Sequence, residues 1–214
     1  MKIGLMGGTF DPVHNAHLIA AQTVLKLCGL DLVQLLPTNN PPHKMNLSIS
    51  KASDRLSMLR LAVHGLSHIE VSTIELDRPG TTYTVDTLRL LHLENSFNPI
   101  CSTQNEYFYI IGADVVFDLL NWKDCEAVFK MCSFIAMLRP GFERAQYDRQ
   151  VQELQSVHAV KIACVEIPQM DISSTEIRRC FAEGRESEAE SNLPKEVFEY
   201  IKQHGLYREG HPNV

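Results

Sequence analysis

Apolar residues along the chain change their period repeatedly. The run Lys2 to Met6 is strand-like, apolar positions at Leu18, Ala21, Leu25 and Cys28 follow a helical spacing, and Leu32 to Leu36 is strand-like again. Strand, helix, strand is the pattern of a parallel βαβ unit. The alternation continues with a helix marked by Ala52, Leu56, Leu59 and Val63, a short strand from Ile69 to Val71, a helix from about Thr84 to Glu94, and a strand from Tyr107 to Ile111. Helical pieces run from Asp114 to Met131, and the strands Ser133 to Leu138 and Val160 to Val165 flank a polar, helical Glu143 to Gln155. Two last helices span about Ser174 to Glu183 and Pro194 to His204. No repeat, low-complexity tract or linker interrupts the series. It therefore predicts one α/β domain over residues 1–214, built on a doubly wound parallel sheet, with a C-terminal helical portion at about 172–214. Such sheets bind ligands beyond the carboxyl ends of their strands, which directs attention to the loops after Met6, Leu36, Ile111 and Val165.

Composition narrows the class. A chain of 214 residues, 44% of them hydrophobic, is long enough to bury about 70% of its unfolded surface without help from disulfides. The six cysteines form no C-x-x-C pair and mostly sit in apolar runs, which predicts reduced thiols packed as small hydrophobes and no structural zinc. A net charge of −6 argues against a nonspecific grip on nucleic acid, though not against small phosphorylated ligands, which need only a few local cations. Met1 leads straight into Ile3 and Leu5 with no basic flank or long apolar stretch, and no later stretch is long enough to span a bilayer. The expectation is a cytoplasmic protein that engages neither membrane nor nucleic acid, and a homo-oligomer is compatible with it.

The first strand runs into Gly7-Gly8-Thr9-Phe10-Asp11-Pro12-Val13-His14-Asn15-Ala16-His17, which opens an amphipathic helix. Glycines there let backbone N–H groups approach a ligand closely, and the helix start favours phosphate. The spacing is neither G-x-x-x-x-G-K-[ST] nor G-x-G-x-x-G, which disfavours a P-loop hydrolase and a dinucleotide-dependent dehydrogenase. His14 and His17, three residues apart at the helix start, can address one phosphate chain from one face and stabilise charge growing on its oxygens. The bland alternative is one histidine capping the helix and one packed in the core. A zinc site is disfavoured, because H-x-x-H lacks an intervening Glu and a third ligand. Near the C-terminus, Ile172-Ser173-Ser174-Thr175-Glu176-Ile177-Arg178 reads as a capping box, Ser173 with Glu176, at a helix start where Ser174, Thr175 and the guanidinium of Arg178 would meet an anion.

These two stretches resemble the signatures of the nucleotidylyltransferase superfamily, which ends its first motif in H-x-G-H and closes its ATP site with I-S-S-T-x-I-R. The second match is complete; in the first, Ala16 stands where the family has Gly, the smallest replacement available. Arg78-Pro79-Gly80-Thr81-Thr82-Tyr83-Thr84-Val85-Asp86-Thr87-Leu88, and Ile110-Ile111-Gly112-Ala113-Asp114 followed by Trp122, extend the resemblance over nearly the whole chain to bacterial nicotinate mononucleotide adenylyltransferases. The resemblance implies a Rossmann-like nucleotidylyltransferase fold and adenylyl transfer from ATP to nicotinate mononucleotide, giving nicotinate adenine dinucleotide and pyrophosphate in NAD biosynthesis. It assigns Gly7, Gly8, Thr9, Phe10, Ile172, Ser173, Ser174 and Thr175 to the ATP site, with Gly112 and Asp114 at the adenosine ribose and Arg139 nearby. His14, His17, Lys44 (in Asn40-Pro41-Pro42-His43-Lys44) and Arg178 would hold the triphosphate and take up charge. Mg²⁺ would come on the ATP phosphates with no direct protein ligand. Thr82, Tyr83 and Trp122 would frame the pyridine nucleotide, Trp122 stacking on its ring, and N–H groups around Tyr83 and Thr84 would meet its carboxylate. The rivals are transfer to nicotinamide mononucleotide or to pantetheine phosphate, and an inert ATP-sensing module.

Overall fold

The computed structural model describes residues 1–39, 49–96, 105–141 and 143–208. In chain order the elements are β1 (Lys2–Gly8), α1 (Asn15–Leu27), β2 (Leu32–Pro37), α2 (Ala52–Val63), β3 (Ile69–Val71), α3 (Thr84–Ser96), β4 (Glu106–Gly112), a 3₁₀ helix (Ala113–Asn121), α4 (Cys125–Met131), β5 (Ser133–Leu138), α5 (Arg144–His158), β6 (Ile162–Glu166), α6 (Ser174–Ala182), α7 (Glu186–Glu190) and α8 (Lys195–His204). The six strands form one sheet in the order β3-β2-β1-β4-β5-β6. Parallel pairing joins β1 to β4, β4 to β5 and β5 to β6. This is the doubly wound order, with the direction of winding reversing at β1 and β4.

Strands covered on both faces need continuous apolar runs, and β4 has one: Tyr107, Tyr109, Ile110 and Ile111 are buried. In β5 the buried set is Phe134, Ile135, Ala136 and Leu138. The edge strand β6 buries only Val165 of its five residues, as expected of a strand with one open side. A side chain at Gly4 in β1 would start 2.7 Å from Leu30 Cδ1 and 3.0 Å from Ile110 Cδ1, so close packing requires glycine there. Cys132 is buried, and desolvation pushes its thiol up to about 12, so it behaves as a small hydrophobe. The described cysteines are all free thiols.

Contacts divide the chain into two compact units, each assembled from separated stretches: Met1–Met6, Thr23–Gln34 and Thr82–Gln169 in one, and Gly7–Gln22, Leu35–Thr81 and Met170–Val214 in the other. The first is organised around β4 and β5. The second contains α2, α6 and α8, whose buried stripes Met58 and Leu59, Ile177 and Phe181, and Val197, Phe198 and Ile201 form its apolar centre. Each such side chain contributes about 1.5–3 kcal/mol on full burial.

Three local differences from the sequence reading have physical reasons. The helical stretch after β4 is a 3₁₀ helix followed by a short α-helix; its buried residues Ala113, Val116 and Leu119 recur every third position, the period of a 3₁₀ turn. Helix α7 carries a single buried side chain, Ala189, and so has no apolar stripe to announce it. On α2 the buried stripe is Arg55, Met58, Leu59 and Ala62; of the predicted Ala52, Leu56, Leu59 and Val63, only Leu59 lies on it. No helix among the described residues is long and apolar enough to cross a membrane.

Candidate active site

In the second unit, the loop after β1 is held through its carbonyl groups. The Gly8 carbonyl accepts from the Thr38 N–H at 3.0 Å and from the Thr38 hydroxyl at 3.3 Å. Thr9 O accepts from Arg55 Nη1 at 2.8 Å, Asp11 O from Arg178 Nη1 at 2.6 Å, and Pro12 O from Ser174 Oγ at 2.9 Å. The two sequence motifs are therefore joined directly, through residue pairs 162 and 167 positions apart. Carbonyl oxygens repel phosphate, and here four of the loop's carbonyls are occupied by donors. In a trans peptide the following N–H points the opposite way, so the ties at Gly8, Thr9 and Pro12 turn the N–H groups of Thr9, Phe10 and Val13 away from those donors, whereas Asp11 is followed by a cis proline with no N–H.

His14 and His17 lie at the start of α1 with their rings stacked, centroids 3.7 Å apart and planes at 25°. Ring Nδ1 of His17 accepts from the backbone N–H of His14 at 3.3 Å. This is the backward reach that a Glu makes in a capping box, with an imidazole in its place. An accepting Nδ1 puts the proton of the neutral ring on Nε2, where it can be donated. Phe10 is buried and meets the His17 ring edge-on at 5.0 Å between centroids. His14 is itself buried, as the packed-core reading has one of the two histidines.

At the other motif, Ser173 caps α6, accepting from the Glu176 N–H at 3.1 Å. Only this half of the predicted capping box forms. The Glu176 carboxylate turns instead to Arg179, 2.8 Å away. Arg178 places one nitrogen on Asp11 O and the other 3.4 Å from Thr175 Oγ1. Lys44 lies outside the described residues. Among the described residues no three His, Cys, Asp or Glu side chains are grouped as metal ligands, and both oxygens of Asp11 already accept, from Tyr207 and from the Ser50 N–H.

The first unit carries the remaining predicted residues. Thr82 is buried, and the Tyr83 carbonyl accepts from the N–H groups of Asp86 and Thr87 as α3 begins, which orients that helix start next to Tyr83 and Thr84. Trp122, half-buried, ends the 3₁₀ helix and meets Tyr109 and Phe134 edge-on at 5.7 and 6.1 Å. The core thus anchors the indole without covering it. Lys123 sits 4.3 Å above the Tyr83 ring and 3.3 Å from Asp86, a cation that the sequence reading passed over because it lies outside the Thr82 to Thr87 stretch. Gly112 ends β4 with the Asp114 carboxylate in the space a side chain would enter, so a larger residue there would displace that carboxylate. Arg139 lines a cleft of about 490 Å³ at the carboxyl ends of β5 and β6, with Arg144 bridging to Glu166 at 3.0 Å.

Comparison with known proteins agrees with this picture. The family described as Cytidylyltransferase-like matches residues 5–180. A probable nicotinate-nucleotide adenylyltransferase of Thermoanaerobacter sp. is 38% identical over 213 residues, covering 100% of this chain and 97% of its own. Another, of Corynebacterium jeikeium, is 38% identical over 204 residues, covering 94% of this chain and 98% of its own. Among solved structures, nicotinic acid mononucleotide adenylyltransferase of Plasmodium falciparum, complexed with NaAD, has the same fold, with a TM-score of 0.73 over 96% of this chain and 97% of that one at 19% identity. The chain belongs to the cytidylyltransferase-like family and, within it, to the nicotinate-nucleotide adenylyltransferases.

Proposed function

We propose that this protein transfers the adenylyl group of ATP to nicotinate mononucleotide, forming nicotinate adenine dinucleotide and pyrophosphate for NAD biosynthesis in the cytoplasm. A 5′-phosphate oxygen of the acceptor attacks the α-phosphorus in line, and the bond from the α-phosphorus to the bridging oxygen breaks. Pyrophosphate leaves with the electron pair. The attacking phosphate is already an anion, so no side chain need remove a proton, and catalysis reduces to positioning and charge stabilisation. His14, His17, Arg178 and Lys44 hold the triphosphate, with His17 donating from Nε2 as charge grows on the leaving phosphates. Gly7, Gly8, Thr9 and Phe10 supply backbone N–H groups, and Ile172 to Thr175 bring the start of α6. Gly112 and Asp114 take the ribose and Arg139 the nucleotide nearby. Bound with ATP as part of the substrate, Mg²⁺ would supply neutralisation of charge on the triphosphate oxygens.

The observation that carries the reading is the direct joining of the two motifs through Ser174 and Arg178 to the Pro12 and Asp11 carbonyls. An anion-binding loop and an anion-facing helix start are brought together in one unit. For the acceptor, Tyr83 and Thr84 offer N–H groups to the pyridine carboxylate, Thr82 and Trp122 frame the ring, and Lys123 adds a positive charge beside Tyr83. Both carboxylate oxygens can accept hydrogen bonds, whereas an amide turns an NH₂ group toward these donors. The test is pyrophosphate release from ATP with nicotinate mononucleotide, nicotinamide mononucleotide and pantetheine phosphate compared under one set of conditions. The expected result is a kcat/KM highest for the acid by about tenfold or more, given that mismatched hydrogen-bonding groups can cost up to about 10⁴. A ratio near unity or in favour of the amide overturns the acid assignment, and no release with any acceptor leaves an ATP-binding module.

A further inference from the structure

Arg55 is 1% exposed, on the face of α2 where an amphipathic helix places apolar residues. Its Nε donates to Ser50 O at 3.1 Å and its Nη1 to Thr9 O at 2.8 Å. Asp11, 4% exposed, accepts from the Tyr207 hydroxyl at 2.7 Å on one oxygen and from the Ser50 N–H at 3.1 Å on the other. Tyr207 is also buried, at 1%. Three stretches far apart in sequence meet here, and all of them belong to the second unit.

We infer that Arg55, Asp11 and Tyr207 are positioning residues for adenylyl transfer, a buried set that fixes the orientation of the phosphate-binding loop. The inference rests on the proposed function. Stability does not account for the arrangement, because replacing a buried charged group with well-packed apolar residues is commonly neutral or favourable. An apolar residue at position 55 would complete the stripe of α2 but could not take the Thr9 and Ser50 carbonyls in a fixed fork, which a guanidinium does. The backbone agrees. Phe10, beside Asp11, and Tyr207 both have positive φ, at 50° and 67°, a region that non-glycine residues seldom occupy. At each end of the hydrogen bond the chain thus takes up an unfavourable conformation. Burial first and the nearby Asp11 second raise the Tyr207 phenol well above its usual range, so it remains a donor throughout the working pH range. Arg178, which donates to the Asp11 carbonyl, links this set to the anion-facing helix.

The test uses the whole chain with Tyr207→Phe, which deletes one hydroxyl, and Arg55→Lys, which keeps the charge but loses the fork. Binding of inorganic tripolyphosphate by calorimetry, KM for ATP and for the acceptor, kcat and Tm are measured for each. In Tyr207→Phe, tripolyphosphate affinity should fall and KM for ATP should rise by about tenfold, short of the about 10² that a full ångström of misplacement can cost. The acceptor KM should change by less than about twofold, and Arg55→Lys should shift in the same direction rather than rescue. Unchanged tripolyphosphate affinity in folded Tyr207→Phe, or the two KM values rising together, overturns the inference. If Arg55→Lys fails to fold, Tyr207→Phe decides alone. An inactive parent chain would instead count against the proposed function, which keeps the two failures apart.

Discussion

The loop around His14 and His17 and the surface around Tyr83 and Trp122 are built on opposite plans. Around the first, the polar groups that set the geometry are buried, with Arg55, Asp11 and Tyr207 all under 5% exposed; Arg55 donates to the Thr9 and Ser50 carbonyls, and the Asp11 carboxylate accepts from Tyr207 and the Ser50 N–H. Around the second, the charges are open to solvent. Lys123 and Asp86 have side chains 46% and 31% exposed, Arg89 and Asp124 49% and 52%. Exposed pairs of this kind contribute about 0–1 kcal/mol and are screened by salt, so they bias a surface without freezing it. Buried, fully bonded groups impose one geometry. Phosphoryl chemistry gains from donors fixed before the charge appears, whereas recognising a ring requires a face to stack on and a few donors. The difference between the two regions fits the difference between the tasks proposed for them.

That contrast is broken most directly by His17→Ala. With its Nδ1 accepting from the His14 N–H, the neutral ring carries its proton on Nε2, the atom proposed to donate to charge developing on phosphate. Removal of a donor of this type should lower kcat by about 10²-fold or more. The helix loses one weak backbone contact, so circular dichroism and Tm should report a folded protein. A near-normal kcat in that folded variant would reduce the pair to a packed cap.

The second region is tested by Trp122→Ala. Stacking on one ring is worth roughly 1–3 kcal/mol, so KM for the pyridine nucleotide should rise by about tenfold while KM for ATP moves little. Because the indole also meets Tyr109 and Phe134, the variant will lose some stability. Trp122→Phe separates the two contributions, keeping an aromatic face at the cost of some area. Equal changes in both KM values, or recovery of Tm without recovery of acceptor KM in the Phe variant, would return the residue to the core.

How much of this was legible beforehand depended on whether the signal was local. Strands covered on both faces announce themselves through uninterrupted apolar runs, and β5 was predicted residue for residue as Ser133 to Leu138; the short edge strand β3, Ile-Glu-Val, was placed near Ile69 to Val71, where it lies. The Ser173 cap was equally local. The 3₁₀ helix was read only as helical, though its three-residue spacing from Ala113 to Val116 to Leu119 was there to be seen. Arg55 was missed because the phase of α2 was set by Leu56 and Ala52; the stripe Met58, Leu59 and Ala62 would have put an arginine on the buried face. Tyr207 carried no signal at all. Its partner Asp11 lies 196 residues away, and nothing in the sequence around an isolated tyrosine says which carboxylate it will meet.

The smallest expected effect separates two adjacent serines and so sharpens the account of the first region. Ser173 and Ser174 both sit at the start of α6 but spend their hydroxyls differently: Ser173 accepts from the Glu176 N–H at 3.1 Å, and Ser174 donates to Pro12 O at 2.9 Å. Loss of an N-cap serine costs about 1 kcal/mol, and for a chain of this size each kcal/mol lowers Tm by about 2–4 °C. Ser173→Ala should therefore lower Tm by a few degrees and change kcat/KM for ATP by less than about threefold, because the loop keeps its tie through Ser174. Ser174→Ala removes that tie and leaves the cap: the loss of one net hydrogen bond of about 1 kcal/mol should lower Tm by a similar few degrees, but kcat/KM for ATP should also fall, by about threefold to tenfold, because the tie that sets the first loop is gone. Differential scanning fluorimetry and steady-state kinetics on the two variants check both halves. If Ser173→Ala lowers kcat/KM for ATP as much as Ser174→Ala or more, then the helix start itself, rather than its bond to the first loop, is what the chemistry depends on.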